Sequence, residues 1–306
     1  VDPLGDCNCI SSLHSQKEEL SMAKHVIEVA KTRVVIENGE VVRVAEPVTK
    51  YCPLRENLYS SKRETRETIR QTVERNIKKY GMFTPNRIVE SDSLEVLFGA
   101  SEMFYCALTH KTIDAAVIVC EGAGTVITGN PEIAQGIGIH LTGIISTEAI
   151  PEVIHKLRAR GCHVLSDSAK IDQIGGVKKA IELGFRRIAV TLAKGSIAAI
   201  KSIRRLENRG LEIAIFVVHT TGTSKKEAEL IAEKADVVWG CASRHVRKIC
   251  GGQAIMQIGV KIPVFVLTQR GKQIVLDRMK ELSDDEEILI SRASLPVEGK
   301  SPRPLR

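Results

Sequence analysis

Eight cysteines, at positions 7, 9, 52, 106, 120, 162, 241 and 250, are the most versatile chemical groups of this 306-residue sequence. In a reducing compartment such residues are buried thiols, metal ligands or reactive groups rather than disulfides. Cys106 lies in apolar helical text and Cys162 opens an aliphatic strand, so both read as core thiols. Cys7 and Cys9 form a C-x-C pair in a polar N-terminal stretch, where metal binding and coincidence are both open. Cys52 sits in loop-like KYCPLRE, beside Pro53. Cys241 and Cys250 bracket a basic stretch, CASRHVRKICGG, and cations such as Arg244, His245, Arg247 and Lys248 beside a thiolate lower its pKa. Cys52, Cys120, Cys241 and Cys250 are therefore the candidate ligands for an Fe–S cluster or other metal. No C-x-x-C occurs, so the spacing is neither that of a ferredoxin nor that of a zinc ribbon.

A second group of polar residues recurs just after aliphatic runs. His219, Lys194 and Asp167, with Cys241, are the candidates for acid–base or nucleophilic work. HTTGTSKKE places Thr220, Thr221, Gly222 and Ser224 where a strand gives way to a helix, a place suited to an anion. Ser224 and Glu227 also spell a plain capping box, which accounts for two of those residues without any ligand. In CEGAGTVITGNPE, Gly122 and Gly124 would let backbone N–H groups approach a phosphate or carboxylate. The competing reading is a tight turn followed by an Asn130 cap and Pro131 at the first helical position. There is no G-x-G-x-x-G, Walker A loop or G-x-S-x-G.

These residues need elements to hold them. From about Ser91, helical text alternates with the aliphatic runs IDAAVIVC, LTGIIST, CHVLS, RRIAVTL, EIAIFVVHTTG, DVVWGCAS and IPVFVLTQRG. Such alternation means βα units and a parallel sheet. The expected fold is α/β, a mostly parallel doubly wound sheet with helices on both faces, and a barrel-like βα repeat is the lesser alternative. In such a sheet ligands bind at the carboxyl ends of the strands, where the polar residues above fall. Gly161, Gly184 and Gly210 are expected to end linking helices. Ahead of the sheet, residues 21–90 read as a small α+β region. It holds a short helix over SMAKHVIEVA, a hairpin at Asn38-Gly39 and a charged helix from about Lys62 to Tyr80, stopped by Gly81. Residues 1–20 are expected to be flexible, 91–283 to form the α/β domain, and 284–306 to end in a disordered basic tail.

Aromatic residues make up only 4% of the chain, so Ile, Val, Leu and Ala must build the core. No apolar run is long enough for a membrane span and no signal-peptide pattern opens the chain, so a cytoplasmic protein is expected. The net charge of +7 permits nucleic-acid binding, but the basic residues are interleaved with Glu on helix faces and aromatics for stacking are few. Nucleic acid is therefore not an expected partner.

KTRVVIENGEVVRV, IDAAVIVCEGAGTVITGNPEIAQGIG and VVHTTGTSKKEAELIAEKADVVWGCASRHVRKICG resemble segments of the methanogenesis marker protein 8 family, over about residues 23–281. The resemblance implies an archaeal cytoplasm and a role tied to methyl-coenzyme M reductase or its maturation machinery. It assigns no catalytic residue. The first expectation is thus an accessory protein that binds a cofactor, metal cluster or anionic coenzyme at the sheet edge. The alternatives are a metal-independent enzyme acting on a phosphorylated or carboxylated small molecule, and a non-catalytic assembly factor.

Overall fold

The computed structural model describes residues 23–140, 143–291 and 301–306. The expected flexible segment at 1–20 lies outside the described residues, and so does the stretch 292–300.

Strands β1 (Lys24–Val29), β2 (Thr32–Glu37) and β3 (Glu40–Val44) form an antiparallel meander. β1 falls where a helix is expected. His25, Ile27 and Val29 are buried while the residues between them are not, and this period of two makes KHVIEV a strand once β2 is there to pair with. Ala30 and Lys31, both at positive φ (50° and 61°), make the two-residue turn between β1 and β2. Asn38-Gly39 makes the next, as its sequence predicts. Helices α1 (Pro53–Tyr59) and α2 (Arg66–Tyr80) follow. α2 starts later than its charge pattern suggests because Thr65 and Thr68 close a capping box, and Gly81, at φ 64°, ends it. Ile69 and Val73 of α2 pack on Ile27, Val34 and Ile36 of the meander.

α3 (Ala100–Thr109) leads into β4 (Ala115–Cys120), which turns directly into β5 (Gly124–Thr128). CEGAGTVIT is thus a β-hairpin rather than a strand–loop–helix, with the Asn130 side chain capping α4 (Pro131–Gly138) just beyond it. β6 (Gly143–Thr147) is the expected LTGIIST strand, but it leaves the large sheet and pairs antiparallel with β1. Then come α5 (Pro151–Ala159), β7 (His163–Val164), α6 (Gln173–Glu182), β8 (Arg187–Ala193), α7 (Ala199–Arg204), β9 (Glu212–Val218), α8 (Lys225–Lys234), β10 (Val237–Trp239), α9 (Arg244–Gln253), β11 (Met256–Ile258), β12 (Val264–Val266), α10 (Gln269–Lys280) and β13 (Ile290–Ser291). Gly161 and Gly184 follow helices at positive φ; Gly210 lies instead in the turn joining Asn208 to Leu211, beyond the end of α7.

Among the described residues the large sheet has the order β13-β11-β12-β10-β9-β8-β4-β5-β7. Its centre, β10-β9-β8-β4, is parallel, and antiparallel strands extend it on both sides to two open edges, so the sheet does not close into a barrel. Helices cover both faces. Along β9, Ala214 and Phe216 point to the layer of α3, α4 and α10, whereas Ile213, Ile215 and Val217 point to that of α6, α7 and α8. Residues 301–306, expected to be disordered, are docked. Arg303 pairs with Tyr51 and places its guanidinium 5.2 Å from that ring, while the Arg306 backbone bonds to Ala242 and Arg244.

One polar joint ties the two sheets together. The Thr147 hydroxyl of β6 accepts from the Gly122 N–H at 2.7 Å and sits 2.7 Å from Nδ1 of His25 in β1. His25 is fully buried, and burial lowers its pKa from 6.5 to about 4. The folded protein therefore holds it neutral, with Nδ1 hydrogen-bonded to the Thr147 hydroxyl. Above pH 6.5 neither the folded nor the unfolded state protonates it, and its contribution to stability is complete. Between pH 6.5 and about 4 only the unfolded state binds the proton, so that contribution is lost as the pH falls. Urea denaturation at pH 7 and pH 5 is expected to show the wild type losing about 2 kcal/mol more than His25→Gln over this interval. Parallel losses in the two proteins would contradict a buried neutral imidazole.

Candidate functional site

The parallel strands end on one side of the sheet, and the residues that follow them are polar. β8 gives way to Lys194, β9 to His219 and β10 to Gly240 and Cys241. In an open α/β sheet this edge faces solvent and binds ligands. Here the four-stranded sheet β3-β2-β1-β6 and helices α1 and α2 stand over it and border a partly open cavity of about 990 Å³. The walls are mainly apolar, from Ile27, Phe83, Phe104, Ile118, Ile137 and Trp239. That size and lining suit a coenzyme-sized molecule.

Among the polar residues that line the cavity, Glu28, Lys31, Lys194 and Glu227 gather at the sheet edge. The β1–β2 turn carries Lys31 onto the sheet edge beside Lys194. A side-chain carbon placed on Gly222 would lie 3.4 Å from the Lys194 Nζ and 3.6 Å from the Lys31 Cε, so both lysines meet at this glycine. Lys31 pairs with Glu28 at 2.6 Å. Lys194 makes no ion pair with a carboxylate among the described residues. Burial, together with the neighbouring Lys31 cation, lowers its pKa and outweighs the nearby Glu227 and Glu28 carboxylates, which raise it. A half-buried ammonium that makes no direct ion pair retains donors that an anion can take up.

His219 and Cys241 complete this edge, and both have left-handed backbones, at φ 53° and 33°. Such conformations cost free energy in residues other than glycine and gather at functional sites. Burial lowers the pKa of His219, so its imidazole is neutral. Thr221 lines the cavity and accepts the Ala242 N–H, while Thr220 is turned away and donates to the Trp239 carbonyl at 2.6 Å. Ser224 closes the capping box with Glu227 that its spacing predicts.

The thiols separate. Cys52, at the start of α1, and Cys241 line the same cavity, held near one another by the docked residues 303–306. Cys120 is buried beside Glu121, which pairs with the buried Arg87. Cys250 packs in the opposite helix layer, with its Sγ 3.5 Å from the Ala228 carbonyl. The four candidate ligands thus fall in three places, and among the described residues no group of three His, Cys, Asp or Glu side chains is gathered for a metal ion. Burial raises the Cys241 thiol and outweighs Thr220 and Arg247, which favour the thiolate; it raises Cys52 to about 11 and Cys250 to about 12. The activation expected from the basic stretch is therefore absent.

The remaining candidates lie elsewhere. Asp167 is exposed and pairs with Arg158 at 2.5 Å. Gly122 and Gly124 hold the β4–β5 turn at φ 76° and 69°, where Ile150 and the Ala169–Lys170 backbone cover the space a ligand would need. The sequence reading missed Glu28 and Lys31, along with Tyr59, Asn76 and His140, which also line the cavity. The one available signal was the alternation KHVIEV-AK-TRVVIE, which marks Ala30-Lys31 as a turn tip.

Residues 25–280 match the family described as "Uncharacterized protein conserved in archaea (DUF2099)", and the chain belongs to that family. An uncharacterised protein of Methanocaldococcus jannaschii is 45% identical over 287 residues, covering 93% of this chain and 100% of that protein. No helix among the described residues is long and apolar enough to cross a membrane.

The placement of the thiols predicts their order of reaction. With iodoacetamide at pH 7, Cys52 and Cys241 are expected to alkylate slowly but before Cys106, Cys120 and Cys250, which should resist until the protein unfolds. Peptide mapping by mass spectrometry over time reads the order, and early modification of Cys120 or Cys250 would contradict it.

Proposed function

From membership of this archaeal family, we propose that the chain is an accessory protein of methanogenesis that binds an anionic coenzyme in the cavity between its two sheets. It acts in the maturation, modification or activation of methyl-coenzyme M reductase or its cofactors. The cellular role is supported by the resemblance of its longest segments to methanogenesis marker protein 8. The ligand type is supported by one observation above all: Lys194, half-buried and with no direct ion pair among the described residues, meets Lys31 in a mainly apolar cavity of about 990 Å³. An anionic group fits between these lysines, with the apolar remainder of the molecule directed toward Trp239 and Phe104. A four-thiolate cluster does not fit, because Cys120 and Cys250 lie away from the cavity.

A metal-independent enzyme is the second reading, and the strained, neutral His219 beside Lys194 favours it. His219 would exchange a proton with a substrate whose carboxylate or phosphate the lysines hold.

The test is retention of a small molecule. The protein is incubated anaerobically with a protein-free extract of a methanogenic archaeon, washed, denatured and examined by negative-mode mass spectrometry. Wild type is expected to release an anionic compound at near-stoichiometric yield. Lys194→Glu is expected to retain at least about tenfold less, since a repulsive charge replaces a half-buried attractive one. Equal recovery from both proteins, or none from wild type, would contradict the proposal.

A further inference from the structure

Elsewhere along the cavity, four chain segments bring together groups that share no motif. Tyr59 ends α1, Asn76 lies on α2, Glu95 precedes α3 and His140 follows α4. His140 is held at φ 52° with its side chain only 5% exposed. Its Nε2 lies 2.7 Å from a Glu95 carboxylate oxygen, and its Nδ1 lies 2.9 Å from the Tyr59 hydroxyl. Asn76 donates to the same hydroxyl at 3.2 Å. The Tyr80 ring stacks on the imidazole, and Lys79 and the Tyr80 hydroxyl hold Glu95 from the other side.

We propose that Glu95, His140 and Tyr59 form an acid–base relay that exchanges a proton with an oxygen of the molecule held in the cavity. A carboxylate only accepts, so Nε2 carries a proton in every state. Nδ1 then accepts the phenolic proton when the imidazole is neutral and donates to the phenolic oxygen when it is charged. As Tyr59 gives its proton to a carbonyl or alkoxide oxygen of the ligand, the Nδ1 proton moves onto the phenolate, and the carboxylate is left beside a neutral imidazole. The net change is one proton passed from the His140–Glu95 pair to the ligand, and the reverse direction serves a base. Asn76 supports the developing phenolate by its donated hydrogen bond. So do the Arg55 and Arg75 guanidiniums, 5.3 and 5.7 Å from the centre of the Tyr59 ring.

A network serving only to brace the fold has no need of an open end. Here Tyr59 is half-buried and lines the cavity with Asn76 and His140. The substrate class that follows is an anion bearing a carbonyl or hydroxyl group, with its charge at Lys31 and Lys194 and its reacting oxygen at Tyr59. This class rests on the ligand proposed above, whereas the relay does not.

The test uses a small aryl sulfonyl fluoride on the intact protein. The Tyr59 oxygen attacks sulfur, the O–S bond forms as S–F breaks, fluoride leaves, and the phenolic proton goes to Nδ1 of His140. Peptide mapping is expected to show Tyr59 labelled at least about tenfold faster than Tyr105, with a loss of about that factor in both His140→Gln and Glu95→Gln. Glu95 is partly exposed, so Glu95→Gln keeps the test open where His140→Gln does not fold. Labelling of Tyr59 no faster than Tyr105, or unchanged in Glu95→Gln, would overturn the relay. Labelling as expected in a protein that retains no anion from extract would uphold the relay and remove the ligand proposal alone.

Discussion

The pairing of β1 with β6 is the constraint on which the cavity depends. β6 belongs by sequence to the α/β part of the chain, yet it completes the N-terminal sheet. This crossover brings the meander over the carboxyl edge of β8, β9 and β10 instead of leaving it as an appended unit. Backbone hydrogen bonds supply the direction of the join, and the His25–Thr147–Gly122 contact fixes its depth, because the hydroxyl must meet a ring nitrogen and a backbone N–H at once. An apolar substitute at Thr147 would leave both partners buried and unpaired, a cost of about 1–3 kcal/mol for each.

Placing one sheet across the end of another changes the chemistry of the edge. The strand-end residues of an open sheet are solvated, and their charges are screened. Here Lys194 and His219 are partly withdrawn from water, which disfavours the charged form of each. His219 is neutral, whereas Lys194 lies near Glu227 and Glu28 but makes no direct ion pair with a carboxylate among the described residues. The thiols respond to the same burial in the opposite sense: Cys52 and Cys241 are held protonated, and the basic residues around Cys241 do not reverse this. Covering therefore favours anion recognition at this edge and disfavours thiolate chemistry.

Much of the α/β part was legible in the chain. The aliphatic runs of β8, β9 and β10, the Ser224 cap and the Asn38-Gly39 turn each follow from local chemistry, and the strand-end rule pointed to Lys194, His219 and Cys241. What was not legible depends on pairing at a distance. KHVIEV suits a helix or a strand until β2 and β6 give it neighbours, and GTVIT reads as a loop until β4 lies beside it. Gly122 and Gly124 suggested a phosphate cradle because the sequence shows their freedom at positive φ but not Ile150 and Ala169 filling the space. Tyr59, Asn76, Glu95 and His140 follow one another at intervals of 17, 19 and 45 residues in sequence, and no spacing rule joins them; only the fold does.

Trp239, the single tryptophan, lines the cavity, donates its indole N–H to the Phe98 carbonyl at 3.0 Å and reports directly on whether the cavity takes a guest. The most direct measurement is its emission during titration with the anionic fraction of a methanogen extract, run in parallel with the neutral fraction. A saturable change is expected with the anionic fraction, absent with the neutral one and lost when Lys31 and Lys194 are both replaced by Ala. An emission that stays constant, or that changes alike with both fractions and in the double variant, would contradict a cavity built to bind an anion.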